Sequence, residues 1–99
     1  MSDCLFCRIV AGEIPATVVH ETDDVLAFRD IAPAAPTHVV VVPKAHHQDV
    51  AALAAADPAL AAKVLAAGAA VAQQEGLDDG FRLVFNTGSD GGQTVFHVH

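Results

Sequence analysis

Asp57-Pro58 opens and Gly76 closes the one segment long enough to make a full helix, and the rest of the chain must pack around it. Asp57 is a good N-cap because its carboxylate can accept an unpaired amide of the first turn. Pro58 suits the first helical position, where a missing N–H costs nothing. Gly76, after Glu75, can take the left-handed conformation that ends a helix. Between these signals Leu60, Val64, Ala67 and Val71 recur at helical spacing and predict an apolar stripe facing a core. Many of the remaining positions are alanine, which lets a second backbone approach closely, the same helix of a second subunit being one candidate.

Alanine also limits the core. The chain has 99 residues, twenty of them alanine, with five Phe, seven Leu, three Ile and fourteen Val and no Trp or Tyr. That inventory supports a single domain over residues 1–99 with a modest stability margin, to which a dimer interface or a bound metal would add. The net charge of −7 with only five Lys and Arg argues against a nucleic-acid partner. Asp57, Pro58 and Lys63 interrupt the longest apolar stretch, so no membrane span is expected. The opening residues lack the charged-then-apolar pattern of a signal peptide. Cys4 and Cys7, three positions apart, suit a metal clip in a reducing compartment better than a structural disulfide, and a cytoplasmic domain is expected.

Residues 5–10 read as a short helical turn closed between Gly12 and Pro15. Residues 17–21 and 25–29 read as strands joined by the turn Thr22-Asp23-Asp24. Pro33 and Pro36 exclude a helix between them, and residues 38–42, a histidine followed by four valines, read as a buried strand ending at Pro43. Residues 50–56 suit one or two helical turns. A strand over 81–85, a glycine-rich loop over 86–92 and a strand over 94–99 complete the pattern. The expectation is an α+β fold with a mostly antiparallel five-stranded sheet, a main helix and a short N-terminal helix.

Six histidines stand in this chain, and two of them fall at period two near its end. On a strand Val95, His97 and His99 would share one face, with Phe96 and Val98 on the other. Such a histidine pair can bind a metal, move protons or offer a nucleophilic nitrogen, and it can equally be two partly exposed polar residues opposite a buried Phe and Val. The loop before it holds Gly88, Gly91 and Gly92, whose backbone amides could cradle an anion, with Gln93 and Thr94 as further donors. A plain hairpin loop has the same composition. The Cys4/Cys7 pair is half of a zinc site or, with less context, a redox pair.

The segment from Asn86 to His99 resembles the signature of the histidine triad (HIT) nucleotide-binding proteins, whose motif is His-φ-His-φ-His-φ-φ with φ apolar. The similarity runs on through residues 4–15, 26–33 and 36–46, and the Hint-like branch is the best match. The resemblance implies that His99 is the nucleophile that attacks an α-phosphorus and carries the nucleotidyl group. It places Asn86, Gly92, Gln93 and Thr94 around the phosphate and Asp30 on the ribose hydroxyls. Leu5, Phe6, Ile9, Phe28 and Ile31 would line the purine pocket, although each also suits ordinary core. Cys4, Cys7, His46 and His97 would complete a closed, structural zinc site.

By the same resemblance the activity is hydrolysis of purine nucleoside 5′-phosphoramidates or related nucleotidyl adducts. The partners are a purine nucleotide such as AMP and a second copy of the chain. A dinucleoside polyphosphate hydrolase and a non-catalytic binding module are the alternatives. The family motif has a third histidine two positions after His99, which implies a chain continuing past residue 99 with a C-terminal segment. His20 and His47 are expected to be exposed, and His38 to be buried and hydrogen-bonded.

Overall fold

The structure, a computed structural model, describes residues 3–99. Helix α1 (Leu5–Val10) is followed by strands β1 (Val18–Glu21), β2 (Val25–Arg29) and β3 (Val39–Pro43), then by helices α2 (Val50–Ala56) and α3 (Pro58–Gln74). A single 3₁₀ turn, Ser89–Gly91, follows. The three strands form an antiparallel meander in the order β1-β2-β3. Thr22 builds the first hairpin: its backbone amide donates to Val25 O at 2.8 Å and its hydroxyl accepts from Val25 N at 3.0 Å.

Central strand β2 is covered on both faces, which is why it reads as a continuous apolar run. Val25 lies in one buried cluster with Leu53, Leu60, Val64, Ala67 and Val98, under α2 and α3. Leu26 and Phe28 point the other way, into a cluster with Phe6, Val40 and Val42 beneath α1. The register pairs Leu26 with Val42 and Phe28 with Val40, so each cross-strand pair contributes to the same face. Helices therefore sandwich the sheet, with α1 alone on the side of the cysteines.

Helix α3 begins and ends where its signals stand. Asp57 accepts from Leu60 N at 3.0 Å through Oδ1 and also ends α2, its own amide donating to Leu53 O at 2.8 Å. Gly76 takes φ +71°, the left-handed stop. All four stripe residues are buried, together with Gly68 and Ala72. The close approach at this helix is made within the chain: a Cβ on Gly68 would stand 2.9 Å from Leu83 Cδ2. The far end of α3 is clamped to the sheet, because β1 carries a register shift between Val18 and His20 that leaves Val19 unopposed. Gln74 Nε2 donates to Val19 O at 2.8 Å, and Glu75 makes two bonds to the Arg29 guanidinium at 2.8 and 3.1 Å.

The sheet differs from expectation in having three strands rather than five. Residues 81–85 and 94–99 form no ladder among the described residues. Alternating β-branched and aromatic residues favour extended backbone, but a strand also needs a neighbour's amides and carbonyls, and neither segment has that neighbour here. The last segment instead bends at residues 95–97, and its Val98 amide donates to His47 O at 2.8 Å. The bend breaks the alternation: His97 and Val98 are both buried, while Phe96 is exposed.

Candidate active site and metal centre

His97 is fully buried, and hydrogen bonds set its tautomer. Nε2 lies 2.8 Å from Pro43 O, at the end of β3, and a carbonyl can only accept, so Nε2 carries the proton. Nδ1 is left with its lone pair aimed at Cys4 Sγ (3.3 Å), Cys7 Sγ (3.5 Å) and His46 Nδ1 (3.2 Å). His46 Nδ1 in turn lies 3.4 Å from Cys7 Sγ. Burial, with the like charge of His46, His99 and His47 adding to it, pushes the His97 pKa below its ordinary value despite the Pro43 bond. A neutral imidazole whose other nitrogen is held by a backbone carbonyl is the form in which histidine binds a metal.

The donor set fits a tetrahedral metal ion. Bond lengths of about 2.0–2.1 Å to nitrogen and about 2.3 Å to sulfur require edges of about 3.3 Å between nitrogens and about 3.6 Å between sulfur and nitrogen. The observed edges, 3.2 Å and 3.3–3.5 Å, are slightly shorter than these. All four ligand atoms lie within 4.8 Å of one another. Cys4 and Cys7 reach the cluster from opposite ends of one helical turn, where Cys4 Sγ also caps α1 by accepting from Cys7 N at 3.3 Å. Four protein ligands leave no open position, so the site is structural in type.

His99 is tied to this centre through the backbone. Its Nδ1 lies 2.8 Å from His97 O, which makes Nδ1 the protonated nitrogen and leaves the lone pair on Nε2. Phe6, between the two cysteines, meets the rings of His99, His97 and Phe28 edge-on at 4.9, 6.0 and 5.6 Å. One aromatic residue thus packs against His97 of the metal cluster, against His99 and against Phe28.

The expected pocket residues divide. Phe6, Phe28 and partly buried Ile9 belong to one cluster, whereas Leu5 is exposed and Ile31 fully so. Ile31 and Asp30 instead border a shallow open groove with Pro15, Ala16, Thr17 and Arg29. In the glycine-rich loop, Asn86 and Thr94 are exposed, and Gly92, at φ +89°, stands against Asn86. Gln93 is buried and its amide is fully engaged: Oε1 accepts from Gly88 N at 2.8 Å, and Nε2 donates to Gln48 O at 2.7 Å and Val95 O at 3.0 Å. Gln93 therefore shapes the loop, and its side chain has no donor left for a phosphate. His20 and His47 are half-buried rather than exposed, and His38 is half-buried and hydrogen-bonded. Sequence reasoning missed the carbonyls of Pro43 and His97, which set both imidazole tautomers and which no residue type announces.

A two-cysteine, two-histidine cluster suited to a metal ion, beside the His99 imidazole on an α+β meander, defines a small domain with a candidate metal centre. The chain belongs to the HIT family: the HIT domain model matches residues 11–99. A 14 kDa zinc-binding protein of Brassica juncea is 43% identical over 99 residues, covering 98% of this chain and 88% of its own length. A HIT family hydrolase from Legionella pneumophila has the same fold with a TM-score of 0.93 and 51% identity, over 98% of this chain and 88% of that one. A histidine triad nucleotide-binding protein from Candida albicans superposes with a TM-score of 0.89 at 29% identity, over 97% of this chain and 70% of that one. Among the described residues, no helix is long and apolar enough to cross a membrane.

Proposed function

We propose that this protein is a zinc-stabilised, nucleotide-binding hydrolase that cleaves purine nucleoside 5′-phosphoramidates or related nucleotidyl adducts through a covalent nucleotidyl-His99 intermediate. The observation that carries this reading is the 2.8 Å bond from His99 Nδ1 to His97 O, which holds the nucleophilic lone pair on Nε2. In the first step Nε2 bonds to the α-phosphorus and the phosphorus–nitrogen bond breaks, the amine leaving with a proton. Water then attacks phosphorus, the Nε2–phosphorus bond breaks, and the nucleoside 5′-monophosphate departs; the proton this water gives up returns to solvent the one the amine took from it. Donors around Asn86, Gly92 and Thr94 face the developing negative charge. Phe6, Ile9 and Phe28, with Leu5 and Ile31, bind the purine, and Asp30 binds the ribose.

Zinc, held by Cys4, Cys7, His46 and His97, ties α1 to the last segment and supplies stability rather than chemistry. The relative named for zinc binding supports that metal. The protein works as a homodimer in the cytoplasm. Phe81, Leu83 and Val84, exposed on a segment without a ladder partner among the described residues, offer a second copy an apolar edge. The deciding assay is AMP release from adenosine 5′-phosphoramidate by the chain and by His99→Ala. Turnover that vanishes in the variant, with zinc content and AMP binding retained, is the expected result. Equal turnover by both proteins would refute the intermediate, and failure of the chain to bind AMP would refute the nucleotide reading.

A further inference from the structure

The segment from Asp30 to His38 folds back on itself so that its two ends meet: Asp30 N donates to His38 O at 3.0 Å. Pro33 and Pro36 remove two amides from the loop between them. Of those that remain, two bind side chains at the loop's ends. Ala32 N donates to Asp30 Oδ1 at 2.8 Å, and Ala34 N donates to His38 Nδ1 at 3.0 Å. An imidazole nitrogen that accepts an N–H carries no proton of its own, so the proton of neutral His38 sits on Nε2. That nitrogen stands 3.4 Å from Asp30 Oδ2. The contact is long for a hydrogen bond, as such contacts often are before a ligand is bound.

We infer that His38 is a positioning residue for the Asp30 carboxylate and thereby a determinant of selectivity for ribonucleosides over deoxyribonucleosides; this rests on the nucleotide reading above. A carboxylate offers about four lone-pair sites. Ala32 N takes one on Oδ1, and His38 Nε2 stands 3.4 Å from Oδ2 as an electrostatic neighbour, so each oxygen keeps at least one site. Two acceptor sites, held at a fixed orientation on a partly exposed side chain, match two adjacent ribose hydroxyls. Without the imidazole, Oδ2 loses this neighbour, the carboxylate is held through Oδ1 by Ala32 N alone, and it is freer to turn about its last bond. A rotating carboxylate can still accept one hydroxyl but no longer favours the pair.

The test has two parts. First, ¹⁵N spectra of the nucleotide-free protein report the His38 tautomer directly. A protonated Nε2 and a bare Nδ1 are expected; the opposite tautomer overturns the inference without reference to any ligand. Second, calorimetry compares AMP with 2′-deoxy-AMP on the wild-type chain, His38→Phe and His38→Gln. A hydrogen bond to a charged group predicts a preference for AMP of roughly tenfold or more in wild type. His38→Phe keeps a ring but no donor, and its preference should fall to about threefold or less. His38→Gln, which returns a donor near the Nε2 position, should recover most of it. A merely structural role would weaken both nucleotides alike, so an unchanged ratio in His38→Phe overturns the inference. Wild-type protein that binds neither nucleotide overturns the nucleotide reading itself, and this inference with it.

Discussion

Replacing Val98 with alanine asks whether the core of the domain holds the segment around His99 in place. Val98 is 1% exposed, stands between His97 and His99, and packs in one cluster with Val25, Leu53, Leu60, Val64 and Ala67. The substitution removes two methyl groups, about 1.6 kcal/mol of transfer free energy. The vacated volume, about 50 Å³ if nothing collapses into it, adds up to about 1.2 kcal/mol. The total of about 1.6–2.8 kcal/mol corresponds to a fall in Tm of about 6–22 °C for a domain of this size. Thermal unfolding by circular dichroism at fixed zinc reads it, with phosphoramidase turnover measured well below the new Tm. Because Val98 N also holds the segment to His47 O, turnover per folded molecule should fall while zinc stoichiometry stays at one per chain. A Tm within about 3 °C of wild type, the range of a surface substitution, would refute the docking of the last segment on the core.

Two further outcomes follow from single groups. Asp57→Ala removes the Oδ1 acceptor that caps α3 and should cost about 1 kcal/mol, read as a lower urea midpoint with an unchanged slope. Burial depresses the His97 pKa below the ordinary 6.5, so in metal-free protein the unfolded chain takes up this proton before the folded one. The associated stability is complete above pH 6.5 and declines as pH drops from there towards the lower folded value. Urea midpoints at pH 7.5 and 5.5 in chelator, compared with His97→Gln, should show a smaller pH difference in the variant; an equal difference would mean that the other histidines account for it.

Boundaries were legible wherever one residue type has one local job. Asp57, Pro58 and Gly76 act within a single turn of their neighbours, and α3 runs between them as its signals require. Helix α1, strand β2 and helix α2 likewise fall where local pattern places them, and strand β3 is displaced by a single residue. The metal cluster was legible for a different reason: cysteine and histidine at these positions resemble a family pattern, and the fold brings all four ligand atoms together. Residues 81–85 and 94–99 were misread because alternation reports how a backbone is extended, while a ladder depends on what lies beside it. Gln93 illustrates the same limit. A glutamine next to a glycine-rich loop looks like a donor for an anion until its amide is found bound to Gly88, Gln48 and Val95.

By itself, then, the amino-acid order determined the long helix and its caps, and through its likeness to the family motif it singled out the cysteine-histidine ligand set and the candidate nucleophile. The helix ends depend on side chains that act on the backbone within one turn, and the ligand set on residue types that bind metal. The proton positions on His97, His99 and His38 were decided only by the tertiary structure. Each is set by a backbone group, Pro43 O, His97 O or Ala34 N, and backbone groups are the same in every residue. What distinguishes them is where the fold puts them, and that placement decides which nitrogen of each imidazole keeps its lone pair.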